Sequence, residues 1–218
     1  MSSKSRLSTQ SIISPATLLR DGLEKMQLAI SVQTQGRLLA FIALLAKWNK
    51  TFSLTAIDDP QQMVARHLLD SLSLVPYIRG PRLVDVGSGA GLPGIPLALA
   101  LPDFEVVLLD SQTKKVRFMT QAIADLQIDN IVVAHTRVQD YHPQQMFDTV
   151  ISRAFTSLIK FSDAASHLCQ PKGCMLAMKG KFPAHELEEF KKTGRTVDVM
   201  PVEIPGLDAQ RHIARISC

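Results

Sequence analysis

The sequence predicts an α/β fold: a doubly wound, mostly parallel seven-stranded sheet behind an N-terminal helical extension. Three observations carry that expectation. From Arg82 onward, short apolar runs alternate with helical ones, the pattern of βαβ units whose helices cover both faces of a sheet. The first of those runs, Leu83-Val84-Asp85-Val86, opens into the glycine-rich turn Gly87-Ser88-Gly89-Ala90-Gly91-Leu92-Pro93-Gly94. Ahead of it, apolar residues recur only at helical spacing.

Taken in order, residues 1–14 read as a flexible terminus, Ser-rich and without an apolar stretch of signal-peptide type. Residues 15–80 read as helices. Ser14-Pro15 is a cap and first-position signal, and Leu19, Leu23, Met26 and Ile30 follow on one face. Leu38, Phe41, Ile42, Leu45 and Trp48 form a second stripe. Asp59-Pro60 caps a third run containing Met63, Val64, Leu68, Leu69 and Leu72, which Pro76 and Gly80-Pro81 close. Residues 81–218 form the sheet domain. Strands are expected near 82–86, 105–110, 130–135, 147–152 and 173–179, with helices near 94–101, 113–127, 157–168 and 184–192. Two extended stretches near 196–203 and 211–217, with Gly206 between them, predict a closing antiparallel hairpin.

The glycine turn marks a cofactor crevice at the carboxyl ends of parallel strands, because about 20 residues on the second strand, Val106-Val107-Leu108-Leu109, ends in Asp110. Two templates overlap there. Gly89, Gly91 and Gly94 fit the dinucleotide pattern, while Asp85, Gly87, Gly89 and Gly91 fit an acid followed by alternating glycines. A pyrophosphate needs free amides at the helix N-terminus, and Pro93 and Pro96 remove two donors from that turn. An acid in the loop also repels phosphate. S-adenosylmethionine carries an ammonium, a sulfonium and a ribose diol instead. Asp85 would offset its positive methionine end and Asp110 would accept the ribose hydroxyls. The physics favours that cofactor, with a dinucleotide and a ligand-free packing turn as the alternatives.

Composition narrows the class. Apolar residues at 46% and charged ones at 20% are those of a soluble globular chain, and no apolar run is long enough to span a bilayer. Cys169, Cys174 and Cys218 show no metal-ligand spacing, and six scattered histidines form no zinc pattern. Buried free thiols in a reducing compartment, and no metal, are therefore expected. The net charge of +4 is unevenly placed: residues 1–80 hold nine Lys and Arg against five Asp and Glu, whereas residues 81–218 balance. A basic section joined to a neutral one suggests a polyanionic partner.

A closer likeness runs along the chain. Lys47-Trp48-Asn49-Lys50, Leu54-Thr55 and Arg66-His67-Leu68-Leu69-Asp70-Ser71 precede the glycine turn. Gly91-Leu92-Pro93-Gly94-Ile95-Pro96, Leu109-Asp110-Ser111, Lys114 to Phe118, Ile151-Ser152-Arg153-Ala154-Phe155 and Lys179-Gly180 follow. These motifs resemble the class I S-adenosylmethionine-dependent methyltransferases. Across about residues 20–215 they resemble the ribosomal RNA small-subunit methyltransferase G family, once called glucose-inhibited division protein B. The resemblance implies methylation of guanine N7 at one nucleotide of bacterial small-subunit ribosomal RNA, with S-adenosylhomocysteine as product. It also implies a cytoplasmic enzyme working as a monomer on ribosomal RNA or the small ribosomal subunit, without membrane or metal. Cofactor contacts carried over from the family fall on Gly87, Leu92, the backbone of Val138 and Gln139, and Arg153. Two departures stand out: Ser53 where the family usually has Asn, and Gln139 where an acid is usual. Gln139 still offers an amide oxygen to the adenine amino group.

Guanine N7 has an in-plane lone pair and no proton, so no general base is expected and in-line placement carries the catalysis. Arg153, ending the fourth strand, is the first choice for a group touching cofactor and guanine, donating to O6; pairing with a core carboxylate is its rival reading. Phe155 is a candidate for stacking on the base, or core. Lys179 is a candidate phosphate contact, or an exposed strand-end lysine. His67 and Asp70 share a helical face and read first as a pair with each other, second as the mouth of the crevice. Arg66, Lys47, Lys50, Lys114 and Lys115 are candidate RNA contacts, against plain solvated surface. A small-molecule methyltransferase, or a non-catalytic cofactor and RNA binder, remain the alternatives in function.

Overall fold

In the computed structural model, which describes residues 13–153, 155 and 157–218, seven strands form one sheet in the order β3-β2-β1-β4-β5-β7-β6. The strands are β1 (Arg82–Val86), β2 (Glu105–Asp110), β3 (Ile131–His135), β4 (Phe147–Ser152), β5 (Cys169–Lys179), β6 (Val197–Pro201) and β7 (His212–Ser217). Residues 1–12, most of the expected flexible terminus, and Ala154 of the fourth-strand motif lie outside the described residues.

The first five strands run parallel and β7 inserts antiparallel between β5 and β6. The strand order reverses between β1 and β4, which creates a crevice beyond their carboxyl ends. Register aligns the floor of that crevice. Asp85 sits level with Leu108 on β2 and Ile151 on β4, and Asp110 sits level with His135 on β3. The loops leaving β1 to β4 therefore emerge side by side.

Helices α1 (Pro15–Lys25) and α2 (Val32–Phe52) start as side-chain chemistry dictates: Ser14 and Ser31 each accept from the backbone N–H three residues on. The first helix was expected to reach Ile30, yet it stops five residues earlier. Gln27 adopts a left-handed φ of 56°, its N–H bonds the Glu24 carbonyl, and the Leu28 N–H bonds that of Leu23. That is a Schellman closure. It is hidden in the sequence because glutamine, not glycine, occupies the left-handed position. Ser53 caps α2 in the same region, at φ 48°. The departure from Asn at this position is thus a change of cap residue, since Asn tolerates left-handed backbone better than Ser.

The third expected helix is split. Helix α3 (Pro60–Met63) passes into a π-helical stretch, Val64–Leu69, and then into α4 (Asp70–Leu72). Wider π turns re-aim side chains and recur at functional sites. Helices α5 (Gly94–Ala100), α6 (Thr113–Asp125), α7 (Leu158–Ala165) and α8 (Ala184–Lys191) complete the layers.

The apolar stripes of α1 and α2 join Met63, Leu68 and Leu72 with Leu83, Leu108 and Phe118 in one cluster, so the N-terminal helices share the core of one sheet face. Phe147, Phe161 and Phe190 fill the other face. Each such fully buried side chain contributes about 1.5–3 kcal/mol. Trp48 packs against this core, its ring 5.6 Å from that of Phe118. The thiols differ from expectation. Cys174 is free and buried, but Cys169 and Cys218 are disulfide-bonded, with Cα atoms 6.2 Å apart. Strand β5 begins at Cys169 rather than near 173, which carries this cysteine to the end of β7.

Candidate active site

The glycine turn is built by its backbone. Gly87, Gly89 and Gly91 take φ values of 72°, 59° and 75°, which a side chain would strain. Gly89 N–H donates to Asp110 Oδ2 at 2.9 Å, and Gln112 N–H donates to Asp110 Oδ1 at 2.8 Å. Asp110 therefore ties the turn to the end of β2, and each of its oxygens keeps a further lone pair for a ligand.

Asp85 is fully buried at the end of β1. Its Oδ2 accepts from Gly94 N–H at 2.9 Å, while its Oδ1 has no hydrogen-bond partner. Burial pushes the carboxyl up to about 7. The Gly94 hydrogen bond and the Arg153 charge work against that rise. An orphaned oxygen on a buried acid is costly unless a ligand group completes it. The start of α5 meanwhile offers little to an anion. Gly94 N–H is taken by Asp85, Ile95 N–H bonds the Gly91 carbonyl, Pro96 has none, and Leu97 N–H bonds the Pro93 carbonyl. The closed helix start disfavours the pyrophosphate reading on structural grounds.

Beside the turn lies a cavity of about 380 Å³ lined by Gly87, Asp110, Lys115, Val138, Gln139 and Phe155, together with Arg137 and neighbouring backbone. Its size suits a nucleoside-like ligand. Of the expected cofactor residues it gathers Gly87, Asp110, Val138 and Gln139. Gly89 lies in the adjoining turn, Asp85 lies beneath it, and Leu92 is buried in the core and off the cavity wall. Two residues read from the sequence as RNA contacts stand here instead. Lys115 lines the cavity wall, and Phe155 does so too, its ring 5.3 Å from Phe161.

A second cavity, of about 350 Å³, opens on the other side of the β4 loop. Arg66, His67, Asp70, Arg153, Lys179 and Arg211 line it, with Thr55 to Ile57 as one wall. That wall is fixed by Asn49, whose Oδ1 accepts from Thr55 N–H at 2.8 Å. His67 and Asp70 share the cavity but do not pair. The His67 Nδ1–H donates to the Arg66 carbonyl at 2.9 Å, leaving Nε2 to accept from the Thr55 hydroxyl at 3.0 Å. Burial and the Arg153 charge hold His67 down to about 4, so it is neutral. Asp70 instead meets two guanidiniums: Arg211 Nε at 2.8 Å and Arg153 Nη1 at 3.8 Å. Burial pushes its carboxyl up, and the two arginines oppose that.

Arg153, expected to touch the cofactor, lines the second cavity and is not among the residues lining the first. Its side chain is 33% exposed on the second, and its charge acts on Asp85 and Asp70 alike. Lys179 is not an exposed strand end. It is 9% exposed, its Nζ 2.8 Å from Glu186 Oε2 and 3.3 Å from the Phe155 carbonyl, pinning the β4 loop. Lys47, Lys50 and Lys114 are exposed, and Lys114 Nζ lies 3.4 Å from the Phe52 carbonyl, which gathers them near the C-terminal end of α2. Sequence reasoning missed Arg137 and Arg211, and quoted Thr55 within a motif without giving it a site role. Arg211 carried no motif; only the hairpin brings it to Asp70, 141 positions away.

Among the described residues no helix is long and apolar enough to cross a membrane, and no group of His, Cys, Asp and Glu is placed to hold a metal. The family model described as rRNA small subunit methyltransferase G matches residues 34–214. Ribosomal RNA small subunit methyltransferase G of Nitrosococcus oceani is 48% identical over 199 residues, 91% of each chain. The protein of that name from Methylobacillus flagellatus is 48% identical over 195 residues, covering 89% of this chain and 94% of its own. In fold, the chain is similar to a SAM dependent methyltransferase from Aquifex aeolicus, with a TM-score of 0.57 and 17% identity over 79% of this chain and 98% of that one. It is also similar to the glycopeptide N-methyltransferase MtfA solved with S-adenosylhomocysteine, with a TM-score of 0.60 and 10% identity over 70% of this chain and 87% of the other.

Proposed function

The chain belongs to the rRNA small subunit methyltransferase G family, and from that premise we propose that it methylates guanine N7 at one nucleotide of bacterial small-subunit ribosomal RNA, using S-adenosylmethionine. The observation that carries the chemical part of this reading is the absence of an available base among the described residues of the second cavity. His67 has both ring nitrogens engaged and is held neutral, Lys179 is paired with Glu186, and Asp70 keeps acceptor capacity on Oδ2 but has its charge met by Arg211 at 2.8 Å and Arg153 at 3.8 Å. An exocyclic amine or a hydroxyl would need its proton removed. N7 has none.

The residues of the first cavity fit the cofactor. Asp110 keeps acceptor capacity for the ribose hydroxyls, and Gln139 and the backbone beside it can meet the adenine edge; Asp85, buried off the cavity wall, keeps an unpartnered Oδ1. Bound there, S-adenosylmethionine supplies an electrophilic methyl on sulfur. The chain's own part is placement. Arg153 donates to guanine O6 and so turns N7 toward the first cavity, while Thr55 to Ile57 wall the base in. Residues 15–80 form the basic extension that meets the RNA, with Lys47, Lys50 and Arg66 on phosphates, joined by Lys114 at the start of α6. The protein acts as a monomer in the cytoplasm.

The test is methyl transfer from tritiated S-adenosylmethionine to small ribosomal subunits lacking the modification, followed by nucleoside mass spectrometry. Label in 7-methylguanosine is expected. Label in another nucleoside, or only in small molecules, overturns the reading.

A further inference from the structure

The second cavity holds one carboxylate facing a cationic wall, and the contacts around it are lopsided. Asp70 Oδ1 is 2.8 Å from Arg211 Nε, a full hydrogen bond, whereas Oδ2 faces Arg153 Nη1 at 3.8 Å, beyond hydrogen-bond range. The carboxylate is 4% exposed and on the cavity wall. Each carboxylate oxygen accepts two hydrogen bonds, so acceptor capacity remains. The π-helical stretch just before it ends at Leu69, and the widened turns place Asp70 and His67 on the same cavity.

A guanidinium donor set beside a carboxylate acceptor complements one purine edge and opposes the other. Guanine presents O6 as acceptor, then N1–H and the 2-amino group as donors. Adenine presents a donor at position 6 and an acceptor at N1. Arg153 and Asp70 stand side by side on the wall of the second cavity, Nη1 and Oδ2 3.8 Å apart, so the donor and the acceptor are neighbours as O6 and N1 are on the ring. The ring runs N7, O6, then N1 and the 2-amino group. His67 offers no rival acceptor, because its Nε2 already takes the Thr55 hydroxyl.

Resting on the guanine-N7 reading, we infer that Asp70 is the specificity residue that accepts from the N1–H and 2-amino group of the target guanine while Arg153 donates to O6. Adenine would set its N1 lone pair against the carboxylate and its amino group against the guanidinium. Both contacts would then repel, which gives rejection as well as selection.

The experiment compares small subunits reconstituted with ribosomal RNA carrying guanosine or inosine at the target nucleotide, in single-turnover methylation. Inosine keeps N7, O6 and N1–H and lacks only the 2-amino group. The wild-type protein should methylate the inosine substrate about tenfold more slowly, the order expected for one lost hydrogen bond to a charged acceptor. The Asp70→Asn variant should be slow on guanosine, with the ratio between the two substrates near one. Equal wild-type rates on both substrates overturn the inference while leaving the guanine-N7 reading intact. So does a tenfold ratio that persists in the variant, since another group would then read the amine. If Asp70→Asn fails to fold with Arg211 left unpaired, Asp70→Glu replaces it: moving the carboxylate by one methylene should shrink the guanosine-to-inosine ratio, and an unchanged tenfold ratio overturns the inference. No methyl on guanosine from the wild-type protein would overturn the function reading itself.

Discussion

Replacing Asp85 with Asn should make the ligand-free protein more stable at pH 8 and leave it unable to hold its cofactor. The magnitude follows from burial. The carboxyl moves from 3.8 in the unfolded chain to about 7 in the fold, first because it is buried and although the Gly94 N–H and Arg153 pull the other way. Its folded pKa is raised, so the folded state holds a proton that the unfolded state has already lost between those values. Stability from this group is therefore lost as pH climbs from about 4 to about 7, at up to about 1.36 kcal/mol per pH unit. Asn carries no such charge. The stability gap between the variant and the wild type should consequently widen by about 2–3 kcal/mol from pH 5 to pH 8. Urea unfolding of both chains at the two pH values measures it. His67 titrates in the opposite sense: its folded pKa is about 4 against 6.5, and its contribution is lost as pH falls through that window. It is present in both chains and cancels in the gap. A gap that stays the same at pH 5 and pH 8 would refute the argument that Asp85 is kept against its electrostatic preference.

Arg153→Ala should cut methyl transfer about a hundredfold, as expected when a positioning contact is lost. The urea midpoint should hold, because Asp70 keeps Arg211; a wild-type rate would remove Arg153 from the chemistry. Changing Lys47 and Lys50 together to Gln should lower the log–log salt slope of RNA association by about 1.4 to 1.8 if each lysine meets one phosphate. Filter binding across a salt series reads this, and an unchanged slope takes both off the interface. Ser53→Asn should stabilise the fold by about 0.5–1 kcal/mol, since it places a residue tolerant of left-handed backbone at the end of α2. Thermal unfolding tests that, and a lower midpoint would mean that the serine has a role besides capping.

The sheet was legible because its signals are local. Apolar alternation fixed the strands, and the acid and glycines of the first turn fixed where the crevice lies. Three things were not local. The end of α1 depends on a left-handed Gln27, which no sequence rule marks. The π-helical stretch redirects His67 and Asp70 so that they face one cavity without touching each other; a regular helix predicts that they pair. The cation that completes Asp70 comes from the far end of the chain, and Lys179 finds its acid on α8 through tertiary packing alone. Charge counts could say that the front section is basic. They could not say that Lys115 turns inward to the first cavity while Lys114 faces out.

The ion pair between Asp70 and Arg211 has a consequence for biogenesis. The two partners lie 141 residues apart, so the second leaves the ribosome long after the first. Strand β7, which begins one residue after Arg211, is also the strand that locks β6 to β5. A nascent chain short of this hairpin holds a buried acid with its strongest counterion missing. The second cavity therefore gains its full set of charges only once the hairpin that carries Arg211 has been made.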